Sequence, residues 1–204
     1  MKQYLIILSL AIVPLFPSGG YDHGTSTGKG LLELDFTWNP FNYFEQGQSY
    51  VVLGYGLKDR LDIHGYYSIH AENFHTYYAG LFYQFLKSEK VDLATAAGMR
   101  INRKNKNRHL FFPQLLYTIK LKGEYSVGGS FVYIMDDENQ SFESIPLAMD
   151  VTFFIPLSRY LSYPDIIKDL KLGVGLFNPV TNRALDSKQF IPTYSIDIKF
   201  GIGK

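Results

Sequence analysis

Residues 50–70 read YVVLGYGLKDRLDIHGYYSIH, and this stretch decides the fold. Apolar residues stand at every second position up to residue 57, and the charged break Lys58-Asp59-Arg60 then interrupts the pattern. After the break, Leu61, Ile63, Tyr67 and Ile69 alternate with Asp62, His64, Tyr66 and Ser68. A period of two is typical of a β-strand with one apolar face, and so short a break fits a turn between antiparallel neighbours. The stretch therefore predicts a β-hairpin.

The same unit recurs along the chain and gives about ten strands, with roughly 8 to 12 possible. Short breaks alternate with longer connections: the breaks lie at Lys58, Ser88 and Lys122, and the loops lie near Phe41, Arg103, Asp136 and Thr181. Short turns at one end and long loops at the other are typical of membrane β-barrels. We predict an all-β protein, a transmembrane antiparallel up-and-down β-barrel.

Aromatic content favours a membrane barrel over a soluble one. The chain has 16 Tyr and 16 Phe against a single Trp, and aromatic residues anchor barrels at membrane interfaces. A soluble periplasmic barrel of the lipocalin type would also alternate, but its outer face would be polar. Here the outward positions carry Leu, Ile and aromatic residues, so we expect lipid around the barrel.

Charge and cysteine content exclude several classes of function. The net charge of +1 argues against a surface that binds nucleic acid by neutralising phosphates. The absence of cysteine excludes disulfides, thiolate metal sites and a lipid-modified cysteine after a leader. We expect no cofactor and no bound metal.

Residues 1–20 have the layout of a secretory signal peptide. Lys2 precedes an apolar run over residues 4–16, and Ser18-Gly19-Gly20 supplies a small-residue exit. The apolar run is shorter than the ~20 residues that a spanning helix needs. We predict a signal peptide over residues 1–20 and an outer-membrane barrel over residues 21–204.

Residues 21–29, rich in Gly, Ser and Thr, are expected to form a flexible periplasmic lead-in. Residues 158–169 are long for a periplasmic turn, and residues 160–170 could form a short amphipathic helix at the membrane interface.

The hairpin Gly56-Leu57-Lys58-Asp59-Arg60-Leu61-Asp62-Ile63 resembles a periplasmic hairpin that recurs in the bacterial outer-membrane β-barrel superfamily, which includes small barrels and porin-like transporters. Residues 194–203 are similar to the closing strand read by the barrel-assembly machinery, although Phe200 is not the last residue. The resemblance implies a Gram-negative outer-membrane location. It also implies contact with outer-membrane lipid and lipopolysaccharide, and assembly by that machinery.

Charged residues of the strands are expected to face the lumen, because charge is costly in lipid. They are Glu33, Asp35, Asp62, His64, Arg100, Asp150, Lys171, Asp197 and Lys199. They form either a charged constriction that selects solutes or an ion-pair network that fills and stabilises the lumen. Lys199 should lie across from Glu33 or Asp35, because the first and last strands pair to close the barrel. Inward glycines such as Gly54, Gly56 and Gly128 either leave room for a small solute or accommodate bulky neighbours.

Two loop clusters allow other chemistry. The basic residues Arg103, Lys104, Lys106 and Arg108 could bind lipopolysaccharide phosphates or could simply be solvated. His70, Glu72 and His75 lie near one outer loop and could, with Asp62 and His64, suggest a metal site or general-base chemistry. Solvated loop residues are the better interpretation of that second cluster.

Three hypotheses for the function follow. The first is a non-enzymatic, porin-like barrel that lets small solutes pass or be taken up through a narrow lumen. The second is a structural or adhesion barrel whose extracellular loops work while its lumen is plugged. The third is a membrane-embedded hydrolase that uses rim residues such as His64, His70 and Glu72. No catalytic residue is assigned, because no nucleophile elbow or phosphate loop occurs.

Overall fold

The computed structural model describes residues 21–38, 48–70, 75–102, 108–136, 147–178 and 191–201. Ten antiparallel strands form a closed barrel in up-and-down order, in which β1 pairs with β10. The strands are β1 (Leu31–Trp38), β2 (Gln48–Lys58), β3 (Leu61–His70), β4 (His75–Lys87), β5 (Val91–Asn102), β6 (Arg108–Lys120), β7 (Ser126–Asp136), β8 (Leu147–Pro156), β9 (Ile167–Asn178) and β10 (Ile191–Gly201). The predicted fold and strand number are confirmed. Within these ranges, no helix is long and apolar enough to cross a membrane.

The outer surface of the barrel is apolar, as expected for contact with lipid. Leu53 and Leu81 are 47% and 53% exposed, whereas Val52 and Phe82, next to them in sequence, are fully buried. This alternation follows from the strand geometry, which points successive side chains to opposite faces of the sheet. An exterior of exposed Leu, Ile, Val, Phe and Tyr is that of a membrane barrel and not of a soluble one.

The barrel closes through the pairing of its first and last strands. Glu33 lies opposite Lys199 in the register of β1 and β10, and Asp35 lies opposite Asp197. The Nζ atom of Lys199 is 3.3 Å from Oε1 of Glu33. The contact expected between Lys199 and the first strand is therefore present.

One end of the barrel carries short connections, and we call it the short-turn end. Its turns lie at residues 59–60, 88–90, 121–125 and 157–166, and β1 begins there. The opposite end, where the sequence places the longer loops, is called the long-loop end.

The last of these connections differs from the sequence-based expectation. Leu157–Arg159 form a single 3-10 turn, and β9 begins at Ile167, so the predicted interfacial helix is wrong. Pro164 explains the difference, because a proline within this segment lacks an amide donor and disfavours helix at the residue before it. The segment instead packs its Tyr160 hydroxyl 2.6 Å from that of Tyr125.

Candidate functional site: a plugged lumen

Residues 21–28 lie inside the barrel and are called the plug. Tyr21, Asp22 and Thr27 are each no more than 3% exposed. At residues 28 and 30, two glycines with φ angles of 95° and 74° turn the chain from the lumen into β1. The expectation of a flexible lead-in was wrong, because the small polar side chains of this segment find partners on the inner wall.

Thr27 anchors the plug near the short-turn end through two carboxylates. Its backbone N–H donates to Oδ2 of Asp62 at 2.7 Å, and its hydroxyl donates to Oε2 of Glu33 at 2.8 Å. Asp62 and Glu33 are themselves no more than 2% exposed. Hydrogen bonds to buried charged acceptors are stronger than those between neutral groups, so these two bonds hold Thr27 firmly against the wall.

Ser26 bonds to three parts of the surrounding wall. Its hydroxyl oxygen lies 2.8 Å from both the Asp59 carbonyl oxygen and Oε1 of Gln84, so its single hydrogen is donated to one of them or shared between the two. Its own carbonyl oxygen accepts from Nζ of Lys199 at 3.2 Å. These contacts come from β4, β10 and the β2–β3 turn, so the plug is bonded to separate regions of the barrel circumference.

The next two residues bond to the remaining side of the wall. The Thr25 hydroxyl donates to Oδ2 of Asp92 at 2.9 Å and lies 3.0 Å from Oγ1 of Thr118. The Gly24 N–H donates to the same Thr118 oxygen at 2.9 Å. Asp92 also pairs with Lys120, whose Nζ is 2.8 Å from Oδ1. The plug therefore bridges the lumen from β1 to β6.

Inward glycines make room for the plug. A Cβ atom added at Gly54 would come within 1.3 Å of the Tyr21 hydroxyl, and one at Gly56 within 1.8 Å of the carbonyl oxygen at residue 28. At Gly128 the obstruction would be the Asp22 carbonyl oxygen, at 2.5 Å. At these three positions the missing side chains accommodate the protein's own N-terminal segment. The sequence showed the glycines but not what fills the space.

Four aspartates surround the inner end of the plug, and we call them the aspartate cluster. They are Asp22, Asp35, Asp150 and Asp197, and each is at least 93% buried. Asp22 interacts electrostatically with the other three. Asp150 accepts hydrogen bonds from the backbone N–H and hydroxyl of Ser130, at 2.8 and 2.5 Å. One carboxylate oxygen on each of Asp22, Asp35 and Asp197 has no hydrogen-bond partner among the described residues.

An aromatic wall lines the lumen beyond the plug, on β3 to β6. The rings of Tyr66 and Tyr78 stack at 5.0 Å, and the Arg100 guanidinium lies 5.0 Å from the centre of the Phe111 ring. Gln114 donates from Nε2 to the Tyr78 hydroxyl at 2.9 Å. Arg100 is thus held by a cation–π contact, and in the described contacts it is not paired with a carboxylate. It gives this part of the lumen a positive group.

Beside the plug a cavity of about 20 Å³ remains, lined by residues that include His23, Glu33, Phe154 and Lys171. A cavity of this size has room for about one water molecule. The short-turn half of the lumen is therefore closed to solutes in this conformation.

The structure brings all nine lumen residues predicted from the sequence onto the inner face. Six are buried or contribute to ion pairs around the plug, as described above, and Arg100 lies over the Phe111 ring in the aromatic wall. His64 is 4% exposed, with its ring centroid 5.0 Å from that of Tyr21, and Lys171 pairs with Asp169 at 2.8 Å. The sequence reasoning missed Asp22, His23 and Asp92. Asp22 and His23 were assigned to the flexible lead-in, and Asp92 was not among the candidates.

The loop candidates are placed less completely. Arg108 is exposed at the start of β6, and Arg103, Lys104 and Lys106 lie outside the described residues. Glu72 and the side chain of His70 also lie outside them, while Nδ1 of His75 is 2.5 Å from the Tyr67 hydroxyl. No group of three His, Asp or Glu side chains in the described ranges has the geometry of a metal site.

No protein-family model and no curated protein matches the chain. Among solved structures, the KdgM porin is similar with a TM-score of 0.48 at 6% identity, over 85% of this chain and 99% of that one. A de novo designed protein, TMB2.3, is similar with a TM-score of 0.38 at 13% identity, over 87% and 98% of the two chains. OccK7 (OpdD) of Pseudomonas aeruginosa has a TM-score of 0.34 at 9% identity, over 84% and 64%.

Proposed function

We propose that the protein is a porin-like outer-membrane barrel that passes small solutes through a narrow lumen when the plug is displaced. The observation that carries the proposal is the polar wall behind the plug. Asp62, Gln84 and Asp92 are fully buried under the plug and bond directly to it. With the plug displaced, these groups would line a water-filled passage, as the polar interiors of porins do.

The chemistry of the plug suits a segment that can leave. Residues 24–28 are only Gly, Ser and Thr, and their bonds to the wall can be exchanged for bonds to water at modest net cost. Tyr21 is the exception, because its ring packs 5.5 Å from that of Phe82. Displacement therefore exposes the polar groups of the plug together with the Tyr21 ring and the apolar inner-wall side chains that it packs against, among them Phe82.

A reversible covalent lock tests the proposal. The hydroxyl oxygens of Thr25 and Thr118 are 3.0 Å apart, so the pair Thr25→Cys and Thr118→Cys places two sulfur atoms within reach of a disulfide. The chain has no cysteine of its own that could interfere. In planar bilayers we expect the oxidised protein to be silent and the reduced protein to show channel openings. The single variant Thr118→Cys is the control and should be insensitive to reductant.

Deletion of residues 21–28 should give steady conductance, after heat-dependent gel mobility has shown that the barrel is folded. A folded deletion variant that conducts no ions would refute solute passage.

The closed lumen favours a second candidate, a structural or adhesion barrel that acts through its extracellular loops. In that case the plug would be a permanent part of the interior and would act as the ion-pair and hydrogen-bond network that stabilises it. Silence of both the reduced double variant and the deletion variant, with cell-surface binding that is lost when a long loop is shortened, would support this candidate.

The contacts of His64 give no support to a hydrolase. Its ring is enclosed by those of Tyr21, Tyr78 and Phe82, at centroid distances of 5.0, 5.1 and 6.3 Å. A substrate could reach it only after the plug had moved. Binding of lipopolysaccharide phosphates by Arg103, Lys104, Lys106 and Arg108 remains part of the proposal, together with assembly by the barrel-assembly machinery.

A further inference from the structure

The four carboxyl groups of the aspartate cluster outnumber the described cations that interact with them, which are His23 and Lys171. Lys199 is bonded to Glu33, and Nζ of Lys171 is bonded to Asp169 at 2.8 Å, although Lys171 lies opposite Asp197 in the sheet. His23 interacts electrostatically with members of the cluster, but its own ion pair is with Glu33, at 3.4 Å. Buried carboxylates need nearby positive charge or hydrogen-bond donors.

The deepest end of the plug lies beside this cluster. The plug runs inward from β1, so that Thr27 is near the short-turn end and Tyr21 is among the rings of His23, His64 and Phe82. Tyr21 precedes Asp22 directly in the chain, so covalent geometry keeps the Tyr21 backbone nitrogen within about 8 Å of the Asp22 carboxylate. Asp22 is 3% exposed, and its Oδ1 has no hydrogen-bond partner among the described residues.

Residues 1–20 have the layout of a secretory signal peptide, which is removed during export. A chain processed at that boundary begins at Tyr21.

We propose that cleavage of the Gly20–Tyr21 peptide bond during export gives Tyr21 an α-ammonium group, which lies inside the lumen once the barrel has folded, where it neutralises the aspartate cluster and fastens the plug. The cleavage is a hydrolysis by a membrane-bound protease of the export pathway. One water is consumed, Gly20 leaves as a carboxylate, and the Tyr21 nitrogen takes up a proton. Processing thus creates the missing cation. The inference rests on the predicted signal peptide and is independent of solute passage.

The position of the cleavage can be measured directly. The full-length chain is expressed, and the protein is extracted from the outer membrane and weighed by intact mass spectrometry. The expected mass is that of residues 21–204. A mature chain that begins at any other residue would overturn the proposal.

The role of the charge requires a matched pair of modifications. In urea near pH 6.5, the α-amine of a chain that begins at Tyr21 reacts before the lysines, because unperturbed pKa values are about 7.7–8.0 for an α-amine and about 10.4 for lysine. Acetylation removes the charge, whereas reductive dimethylation adds similar bulk and keeps it. After refolding, hydrogen exchange of residues 22–28 is followed by mass spectrometry. We expect exchange about tenfold faster or more in the acetylated protein and little change in the dimethylated one.

A charge rescue separates the electrostatic role from a merely structural one. The substitution Asp197→Asn lowers the negative charge of the cluster, so it should slow exchange in the acetylated protein toward that of the unmodified one. If the acetylated protein does not refold, the same substitution should restore folding. Equal exchange rates in the acetylated and dimethylated proteins, or no effect of Asp197→Asn on the acetylated protein, would show that the α-ammonium group does not hold the plug.

Discussion

The substitution Thr27→Val tests how firmly the plug is held. Valine keeps the shape of threonine but lacks the hydroxyl that donates to Glu33 at 2.8 Å, and it leaves the backbone bond from residue 27 to Asp62 in place. Thr27 is 2% exposed, so water does not replace the lost bond while the plug is in place. The closed state should therefore be weakened relative to the open state.

The magnitude follows from the partners that Glu33 retains. A hydrogen bond to a charged group contributes about 1.5–3 kcal/mol. Glu33 keeps Lys199 at 3.3 Å and His23 at 3.4 Å, so the lower end of that range applies. A loss of about 1.5 kcal/mol corresponds to a change of roughly tenfold in an equilibrium constant. We expect the open fraction of the plug to rise by about that factor.

Single-channel recording in planar bilayers and hydrogen exchange of residues 22–28 measure this change independently. The control is Thr95→Val, because the Thr95 hydroxyl donates to the Gln114 carbonyl oxygen at 2.8 Å, between β5 and β6, and touches neither the plug nor the aspartate cluster. The control should leave plug exchange nearly unchanged. Equal open probability and equal exchange in Thr27→Val and the unsubstituted protein would refute the view that hydrogen bonds to carboxylates hold the plug.

Lys199→Met removes a cation from buried Glu33 and should lower the free energy of unfolding in urea by up to about 3 kcal/mol. Adding Glu33→Gln should recover part of this loss. Strictly additive losses from the two substitutions would contradict an energetic coupling between Lys199 and Glu33. On the outer face, Leu81→Lys should lower the free energy of unfolding in lipid by about 2–4 kcal/mol, and Leu81→Ala should lower it by less. Equal losses of stability in the two variants would argue against lipid contact at this position. In the open channel, Arg100→Gln removes the cation 5.0 Å from the Phe111 ring, and the reversal potential in a salt gradient should shift toward cation preference; an unchanged potential would place Arg100 outside the solute path.

Local alternation along the chain was enough to predict the barrel wall. In the hairpin of residues 50–70, side chains alternate between lipid and lumen, and the same period of two recurs along the chain. This pattern was enough to predict about ten strands. It also predicted that Glu33 and Asp62 point into the lumen. Closure of the barrel then required the first and last strands to pair, which placed Lys199 opposite the first strand. Each of these inferences depends only on residue order within strands and on the need to pair every backbone group in lipid.

The interior of the barrel was decided by tertiary structure. The Gly, Ser and Thr residues of the plug have no periodic pattern and are typical of a solvated linker. Thr25 and Thr27 are held inside the barrel because carboxylates on β1, β3 and β5 accept their hydrogen bonds. The space behind Gly54 is a similar case, because it is defined by side chains from different strands. Strand periodicity alone indicates which residues face the lumen. That the N-terminal segment fills this lumen follows only from the folded barrel, because hydrogen-bond partners far apart in the chain meet only when the barrel closes.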